Sequence, residues 1–339
     1  METVTTIGID LAKNVFQVCG MSRSGKVLFN KKLRRNRVLN FCCQLPNCLI
    51  GMEACASSHF WARELSKQGH EVKLMAPQYV KPYVKTNKND AADAQAICEA
   101  VSRPSMRFVG IKTEAQQTLL LLHRDRSGLI RDRTSVINRL RASMAEFGVI
   151  APQGIKKLRH WFCEEYGAVE INLSPLMQQQ VKRLLSRLYY LDEEINRIEQ
   201  DIQIVSSDDD SFQRLKEIPG IGELTASALV ATVGDAKSFK NGRQFAAWLG
   251  LVPRQHSSGG KQQLHGISKR GDVYLRTLLI HGARAMVRHM SPKRAVSVWI
   301  ANLLSRCHKN KVIVAVANKI ARIVWVLLAR KERYVEGCV

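Results

Sequence analysis

The chain has 339 residues, of which 45% are hydrophobic and 24% charged, so it is large enough to fold as two domains with cores of their own. Its 52 Lys and Arg residues against 29 Asp and Glu residues give a net charge of +23, which indicates a polyanionic partner. A basic membrane-surface protein is disfavoured, because its cations would be gathered on an amphipathic anchor, whereas here they are spread along the chain.

The first hundred residues alternate between strand and helix patterns. Strands are predicted at Thr5–Ile9, Val15–Cys19, Lys26–Leu33, Cys48–Met52 and Glu71–Met75. Helices are predicted at Phe60–Gln68 and Ala91–Ser102. This order predicts an α/β domain built on a mixed sheet.

Four acidic residues follow these elements in an ordered way. Asp10 and Glu53 each close an apolar strand, and Asp90 and Asp93 lie three residues apart at the start of a helix, so that both carboxylates face the same way. Four converging carboxylates repel each other unless divalent cations neutralise them. One or two Mg²⁺ ions held there would polarise a phosphodiester.

Each of these acidic signals is weak when it is taken alone. An Asp after a strand is usually a turn or cap residue, and an Asp-x-x-Asp pair often only complements a helix dipole. Sugar kinases and actin-like ATPases also begin with a strand that ends in Gly-Ile-Asp, but they need a second glycine-rich phosphate loop that this sequence lacks. In so basic a chain, the ordered acids favour a nuclease-type site.

A helical pattern covers Thr113–Phe147 and is rich in arginine. The simplest interpretation is a solvated face, but few acids compensate the cations within the segment, which favours contact with phosphates. The predicted contacts are Arg124, Arg126, Arg131, Arg133, Arg139 and Arg141.

A second long helix is predicted from an apolar heptad pattern that needs a partner helix. That partner is either the Thr113–Phe147 helix or a second subunit, and a contribution to dimerisation is favoured. The pattern consists of Leu184, Leu188, Leu191, Ile195, Ile198, Ile202 and Val205.

The segment Ile218–Gly222, Ile-Pro-Gly-Ile-Gly, predicts a helix-hairpin-helix. Gly220 and Gly222 permit a tight turn, after which backbone N–H groups are available to a phosphate. An ordinary turn between two helices is the alternative.

The remaining chain is predicted to be helical except for the segment 250–266. By composition, Ser257, Ser258 and the two glycines that follow form a flexible turn. An exposed serine among cations is also able to attack a phosphate, and the residues alone leave Ser257, Ser258 and Ser268 as candidates. The flanking groups are Arg254, His256, Lys261, Lys269, Arg270 and Arg276.

Nine cysteines without a C-x-x-C pair exclude a zinc site or a disulfide framework, and indicate free thiols in a reducing cytosol. The N-terminus leads directly into a strand pattern with no signal peptide. The apolar stretch Val312–Leu328 is interrupted by Asn318, Lys319 and Arg322, which predicts a core helix rather than a membrane span. We therefore expect a cytosolic protein with no membrane partner.

Taken in order, these motifs resemble those of the DEDD-type transposases of insertion sequences, relatives of the Piv site-specific DNA invertases. The similarity covers almost the whole chain through G-I-D-L-A-K, M-E-A-C-A-S-S-H-F-W-A-R, K-N-D-A-A-D-A, I-P-G-I-G, G-L-V-P-R-Q-H-S-S-G-G-K and G-I-S-K-R-G-D. The chain departs from the family in having Asn89 where Thr is frequent and Ala56 where Gly is frequent. Neither departure removes a predicted ligand or nucleophile.

The resemblance implies a RuvC-like, RNase H-type domain at 1–110 with Asp10, Glu53, Asp90 and Asp93 as metal ligands. It implies long coiled-coil helices at 111–210 and a mainly helical transposase domain at 211–339, where Ser258 is the nucleophile. It further implies a phosphoserine intermediate, active sites shared between protomers of a dimer or tetramer, and a structured guide RNA that pairs with donor and target DNA.

Two rival functions remain. The first is a metal-dependent nuclease of the Holliday-junction resolvase kind, in which water attacks and Ser258 is incidental. The second is a nucleic-acid-binding protein without catalysis, for which basic helices and a helix-hairpin-helix would suffice.

Overall fold

The computed structural model describes residues 2–84, 89–170, 172–289 and 295–335. The chain divides into two compact units, Met1–Glu114 and Ala115–Val339. The division into three domains at 110 and 210 stays a prediction, and each unit is described separately below.

The first unit contains six strands and four helices in its described part. The strands are β1 (Val4–Asp10), β2 (Val15–Ser22), β3 (Val27–Arg34), β4 (Leu49–Glu53), β5 (Glu71–Met75) and β6 (Phe108–Val109). The helices are α1 (Val38–Cys43), α2 (Ser58–Lys67), α3 (Pro77–Val80) and α4 (Asp90–Val101), with 3₁₀ turns at Arg35–Arg37 and Lys81–Tyr83. The predicted strands and helices of this unit are confirmed, with ends that differ by a few residues.

The six strands form one sheet in the order β3-β2-β1-β4-β5-β6. Strands β1, β4 and β5 run parallel, whereas β2, β3 and β6 run antiparallel to their neighbours. The predicted mixed α/β sheet is therefore confirmed, and it is compatible with a RuvC-like domain.

Helices cover both faces of this sheet. On one face, Trp61 and Leu65 of α2 and Val38 of α1 are buried against apolar side chains of β1, β2 and β4. On the other face, α4 lies so close to β1 that a Cβ at Gly8 would sit 2.2 Å from the backbone oxygen of Ala94. Only glycine permits this approach, which fixes the helix that carries Asp90 and Asp93 against the strand that carries Asp10.

The second unit contains ten helices and one hairpin in its described part. The helices are α5 (Glu114–Ala145), α6 (Ile155–Glu164), α7 (Tyr166–Glu170), α8 (Pro175–Ser206), α9 (Asp210–Lys216), α10 (Glu223–Val233), α11 (Gly242–Trp248), α12 (Val273–Arg288), α13 (Ala295–Leu304) and α14 (Lys309–Arg330). A further 3₁₀ turn covers Ala236–Ser238. The hairpin consists of β7 (Pro253–Ser258) and β8 (Lys261–Ile267).

The heptad positions of α8 pack against α5 of the same chain. Leu140 and Met144 of α5 share a cluster with Leu184 and Leu188 of α8, and Leu119 meets Ile202 at the opposite end of the pair. The two helices are therefore antiparallel neighbours. The buried positions of the stripe are therefore covered within the chain by the first of the two expected partners, and a contribution of this helix to dimerisation stays a prediction.

Helix α14 has the length and composition of a membrane span, and half of its most apolar window is buried inside its own unit. Val316, Ile320 and Val324 belong to the large cluster that also holds residues of α9 to α12. Its apolar character is accounted for by this packing, in keeping with the predicted core helix.

His123 of α5 is a buried titratable group in the second unit. Its Nδ1 lies 3.0 Å from the hydroxyl of Tyr274 and its Nε2 lies 3.0 Å from that of Ser227. Burial, together with the nearby Arg126 cation, lowers the pKa of His123 to about 4. The ring is therefore neutral at pH 7 and links α5, α10 and α12.

Candidate active site and nucleic-acid contacts

Two of the predicted acids lie side by side at one edge of the sheet. Strands β1 and β4 are parallel with Ile9 opposite Met52, and both strands end one residue later, at Asp10 and Glu53. Because side chains alternate along a strand, Asp10 shares the face of Gly8, which is covered by α4. The structure thus brings these two acids together on the α4 side of the sheet.

The other two acids lie in the first turn of α4. Asn89 caps the helix by accepting a hydrogen bond from the Ala92 backbone N–H at 2.8 Å, and the helix begins at Asp90. Asp93 is half-buried, whereas Asp90 is exposed. The prediction that both acids begin a helix is confirmed.

Two contacts tie the first turn of α4, where Asp90 lies, to β3. Lys32 of β3 forms an ion pair with Asp90, with 3.7 Å between Nζ and Oδ2, and Asn30 donates a hydrogen bond to the backbone oxygen of Ala91. Two strand spacings of about 4.8 Å separate β3 from β1. Within the described residues, no three His, Cys, Asp or Glu side chains lie close enough to hold a metal ion.

The donor set nevertheless fits Mg²⁺. Carboxylate oxygens are the hard ligands that this ion takes. Beside Asp10, the buried Gln17 on β2 has a side-chain oxygen without a hydrogen-bond partner among the described residues. The Lys32–Asp90 pair is about two-thirds exposed, so breaking this ion pair costs about 1 kcal/mol or less.

Sequence reasoning missed the polar row next to Asp10. In register across the sheet lie Asp10, Gln17 and Lys32, and the Gln17 amide also donates to the side chain of Asn30. The alternation of side chains along β2 and β3 could have indicated this row, because it places polar residues on the same face of the sheet as Asp10.

Ser258 lies at the tip of the β7–β8 hairpin. It pairs with Lys261 across the two-residue turn Gly259-Gly260, where both glycines have positive φ angles of 56° and 76°. Such a turn matches the twist of the strands and strongly favours glycine. The predicted turn is therefore found at the two glycines, whereas Ser257 and Ser258 differ from the prediction in belonging to the paired strand β7.

The alternation of the hairpin separates the candidate serines. Ser258 shares a face with His256, whose ring centroid lies 5.3 Å from that of His265. Ser257 lies on the opposite face, where its hydroxyl accepts a hydrogen bond from Gln255 at 2.8 Å. The hydroxyl oxygen of Ser268 is buried. Burial disfavours Ser268, and pairing with Lys261 favours Ser258 over the equally exposed Ser257. His265, the neighbour of His256, is a residue that the sequence did not indicate.

The cations near the hairpin have different roles. Arg276 is buried and donates hydrogen bonds to the backbone oxygens of Leu249 and Arg270, so it fixes the base of the hairpin instead of facing a phosphate. The predicted phosphate contacts Arg254, His256, Lys261, Lys269 and Arg270 are all exposed.

The six predicted arginines of α5 fall on two sides of the helix. Arg126 pairs with Glu199 at 2.6 Å, Arg133 pairs with Asp192 at 3.0 Å, and Arg141 donates to the backbone oxygen of Ala151. The expectation that the arginines lack compensating acids is corrected for the first two, because α8 supplies the acids. The exposed members of the set are Arg124, Arg131 and Arg139.

The Ile218–Gly222 segment joins α9 to α10. A Cβ at Gly220 would lie 2.9 Å from the backbone oxygen of Gly282, so this glycine packs against α12. Gly222 is exposed and caps α10, whose first residue Glu223 pairs with Lys216 at 3.0 Å. Contact of this turn with a phosphate stays a prediction.

Two family models match the chain. Residues 7–148 match the model described as "Transposase", of the DEDD type of IS110, and residues 212–297 match "Transposase IS116/IS110/IS902 family".

Whole-chain similarity to individual proteins is also high. A "Probable family 20 transposase" of Pseudomonas aeruginosa is 51% identical, covering 98% of this chain and 99% of its own. The transposase for insertion sequence element IS1328 of Yersinia enterocolitica is 44% identical, covering 96% and 97%. A pilin gene-inverting protein of Moraxella bovis is 22% identical, covering 97% of both chains.

Proposed function

Since the chain belongs to the IS116/IS110/IS902 transposase family and is a DNA transposase of the insertion-sequence type, we propose that it cuts and rejoins DNA through a covalent bond to Ser258. The observation that carries this proposal is the position of Ser258 at the exposed tip of a paired hairpin, opposite Lys261 and on the face of two imidazoles. A water-dependent nuclease of the RuvC type is the alternative.

The proposed reaction conserves the phosphodiester. The Ser258 hydroxyl oxygen bonds to phosphorus while its proton passes to a neighbouring imidazole, and the bond from phosphorus to one sugar oxygen breaks as that oxygen takes up a proton. A sugar hydroxyl of another strand then attacks the phosphoserine and releases the serine. Lys261, which pairs with Ser258, and the exposed Arg254 would stabilise the phosphate charge.

The acidic edge is proposed as the Mg²⁺ site. Asp10, Glu53, Asp90 and Asp93 would hold the ion, with Asp90 leaving Lys32 as the ligands gather. Bound Mg²⁺ would polarise the scissile phosphate and stabilise both the attacking and the leaving oxygens. The unpartnered oxygen of the buried Gln17 amide, on the neighbouring strand, would accept a hydrogen bond from water bound to the ion.

The proposed nucleophile is tested by trapping the adduct. Wild-type protein incubated with element-end DNA and Mg²⁺ is expected to give a denaturation-resistant protein–DNA species. Ser258→Ala should abolish it, while Ser257→Ala, the same change one residue away on the other face of the hairpin, should retain it. Strand cleavage without any adduct, unchanged in Ser258→Ala, would establish the water-dependent alternative instead.

We further propose that the acids and the serine of one reaction come from different protomers of a dimer or tetramer. The acids belong to the unit Met1–Glu114 and Ser258 to the unit Ala115–Val339, which permits such sharing. Mixing Asp10→Asn protein with Ser258→Ala protein should then restore adduct formation that neither variant gives alone. If the mixture stays inactive, each protomer uses its own pair of centres.

A structured guide RNA is the remaining proposed partner, alongside donor and target DNA. The net charge of +23 and the exposed arginines of α5 suit either nucleic acid. Sequencing the RNA that copurifies with the protein should yield one abundant structured species encoded beside the gene. A random sample of cellular RNA would contradict guidance.

A further inference from the structure

A cavity of about 520 Å³ lies at the base of the β7–β8 hairpin and plays no part in the chemistry described above. Leu251 and Ile267 line its hairpin side, and Trp299 of α13 contributes an aromatic wall. Its volume falls in the range of about 300–1,000 Å³ that is usual for small-ligand sites.

The opposite wall of the cavity is a cationic stripe on α14. Lys311, Lys319 and Arg322 recur at helical spacing and all line the cavity. Helix α14 contains no Asp or Glu, and within the described ranges none of these three cations is paired with a carboxylate. Lys319 Nζ lies 4.9 Å above the ring of Trp299, so that cation and aromatic surface are adjacent.

An apolar, aromatic wall that faces cations without carboxylate partners has the chemistry to bind a nucleotide. A base gains from stacking on aromatic and apolar surfaces, and the cations take its phosphates. A free inorganic phosphate would leave the apolar wall unused, and the +23 charge of the chain favours a nucleic acid over smaller anions. The cavity therefore has the chemistry of a single-stranded nucleic-acid subsite.

The cavity is also within reach of the strand that Ser258 would cut. Pro253 and Ile267 pair at the base of the hairpin, and Ser258 lies five residues farther along β7. At about 3.3 Å per residue, this places the cavity roughly 17 Å from the serine along the strand. We propose that the cavity binds an unpaired nucleotide of the DNA strand cut by Ser258, an inference that rests on the proposed function.

Binding is tested without cleavage, in the Ser258→Ala background. Fluorescence anisotropy with a labelled single-stranded oligodeoxynucleotide is measured over a range of salt concentrations. Lys311→Ala and Arg322→Ala should each weaken binding about 5- to 10-fold and reduce the slope of log affinity against log salt by about 0.7. Lys309→Ala and Arg330→Ala remove the same charges from the same helix outside the cavity, and should bind like the parent.

A chemical footprint distinguishes the ligand. The oligodeoxynucleotide should protect Lys311 and Lys319 from amine labelling, whereas Lys309 should stay reactive. Equal losses of affinity in Lys311→Ala and Lys309→Ala, or protection by RNA alone, would overturn the proposal. Neither readout requires DNA cleavage. If the adduct assay contradicts Ser258 as the nucleophile, the binding and labelling results therefore still show whether the cavity binds a nucleotide.

Discussion

Lys32 on β3 forms an ion pair with Asp90 in the first turn of α4, with 3.7 Å between Nζ and Oδ2. This contact ties one acid of the proposed metal site to β3, which lies two positions in the sheet from β1, the strand that ends at Asp10. We therefore expect Mg²⁺ binding at the sheet edge to compete with this lysine for Asp90.

Replacing Lys32 by alanine should tighten Mg²⁺ binding. An exposed pair is worth about 0.2–1 kcal/mol, so removing the competitor should improve the affinity roughly 1.5- to 5-fold in calorimetric titration. Lys31→Ala is the matched control, since Lys31 has the same charge and lies over the rings of Phe29 and Phe41 instead. An identical change in both variants would mean that only the general charge of β3 matters.

Gly8→Ala should destabilise the first unit. The added Cβ would meet the Ala94 oxygen at 2.2 Å and the Cys98 nitrogen at 2.8 Å, both backbone atoms that move only with α4. Overpacking of this kind lowers the free energy of unfolding by about 1–3 kcal/mol or more. Urea unfolding measures the loss, and Gly110→Ala, where nothing lies within 4 Å, should be close to neutral.

The stability of the second unit should fall as the pH decreases from about 6.5 to 4. The pKa of His123 is lowered to about 4 in the folded protein, so between these values the unfolded chain binds the additional proton. The contribution of His123 to the free energy of unfolding is complete above pH 6.5 and decreases by about 3 kcal/mol by pH 4.

Denaturant unfolding at a series of pH values isolates this contribution. His123→Gln should remove the part of the slope of unfolding free energy against pH that this histidine contributes. His160→Gln, a change at an exposed histidine, should leave that slope unchanged. A wild-type slope that persists in His123→Gln would assign the pH dependence to other groups.

Arginines on α5 should separate into two functional classes. Arg133→Ala breaks a pair with Asp192, whose side chain is only 15% exposed and also contacts Arg159, and should lower stability by about 2 kcal/mol. Arg131→Ala, two positions away and exposed, should leave stability unchanged and weaken nucleic-acid binding. Melting temperatures and binding isotherms of the two variants test this, and the reverse assignment would refute it.

The sequence by itself was enough to predict the positions of the four acids on their strands and helix, the mixed sheet and the two long helices. The apolar residues of β1 and β4 identify each strand from its own segment, and each strand ends at an acid. Recognising these positions requires no contact with distant residues. The heptads of α8 similarly require some partner helix.

Only the tertiary structure decided which groups meet. The heptad pattern of α8 does not say which helix covers its apolar stripe. The packing of the folded chain shows that α5 does so, and it also pairs Arg126 and Arg133 with acids of α8. Strand register likewise placed Gln17 and Lys32 beside Asp10, and hairpin pairing put Ser258 and Ser257 on opposite faces. These relationships depend on contacts between residues far apart in the chain, which local patterns do not encode.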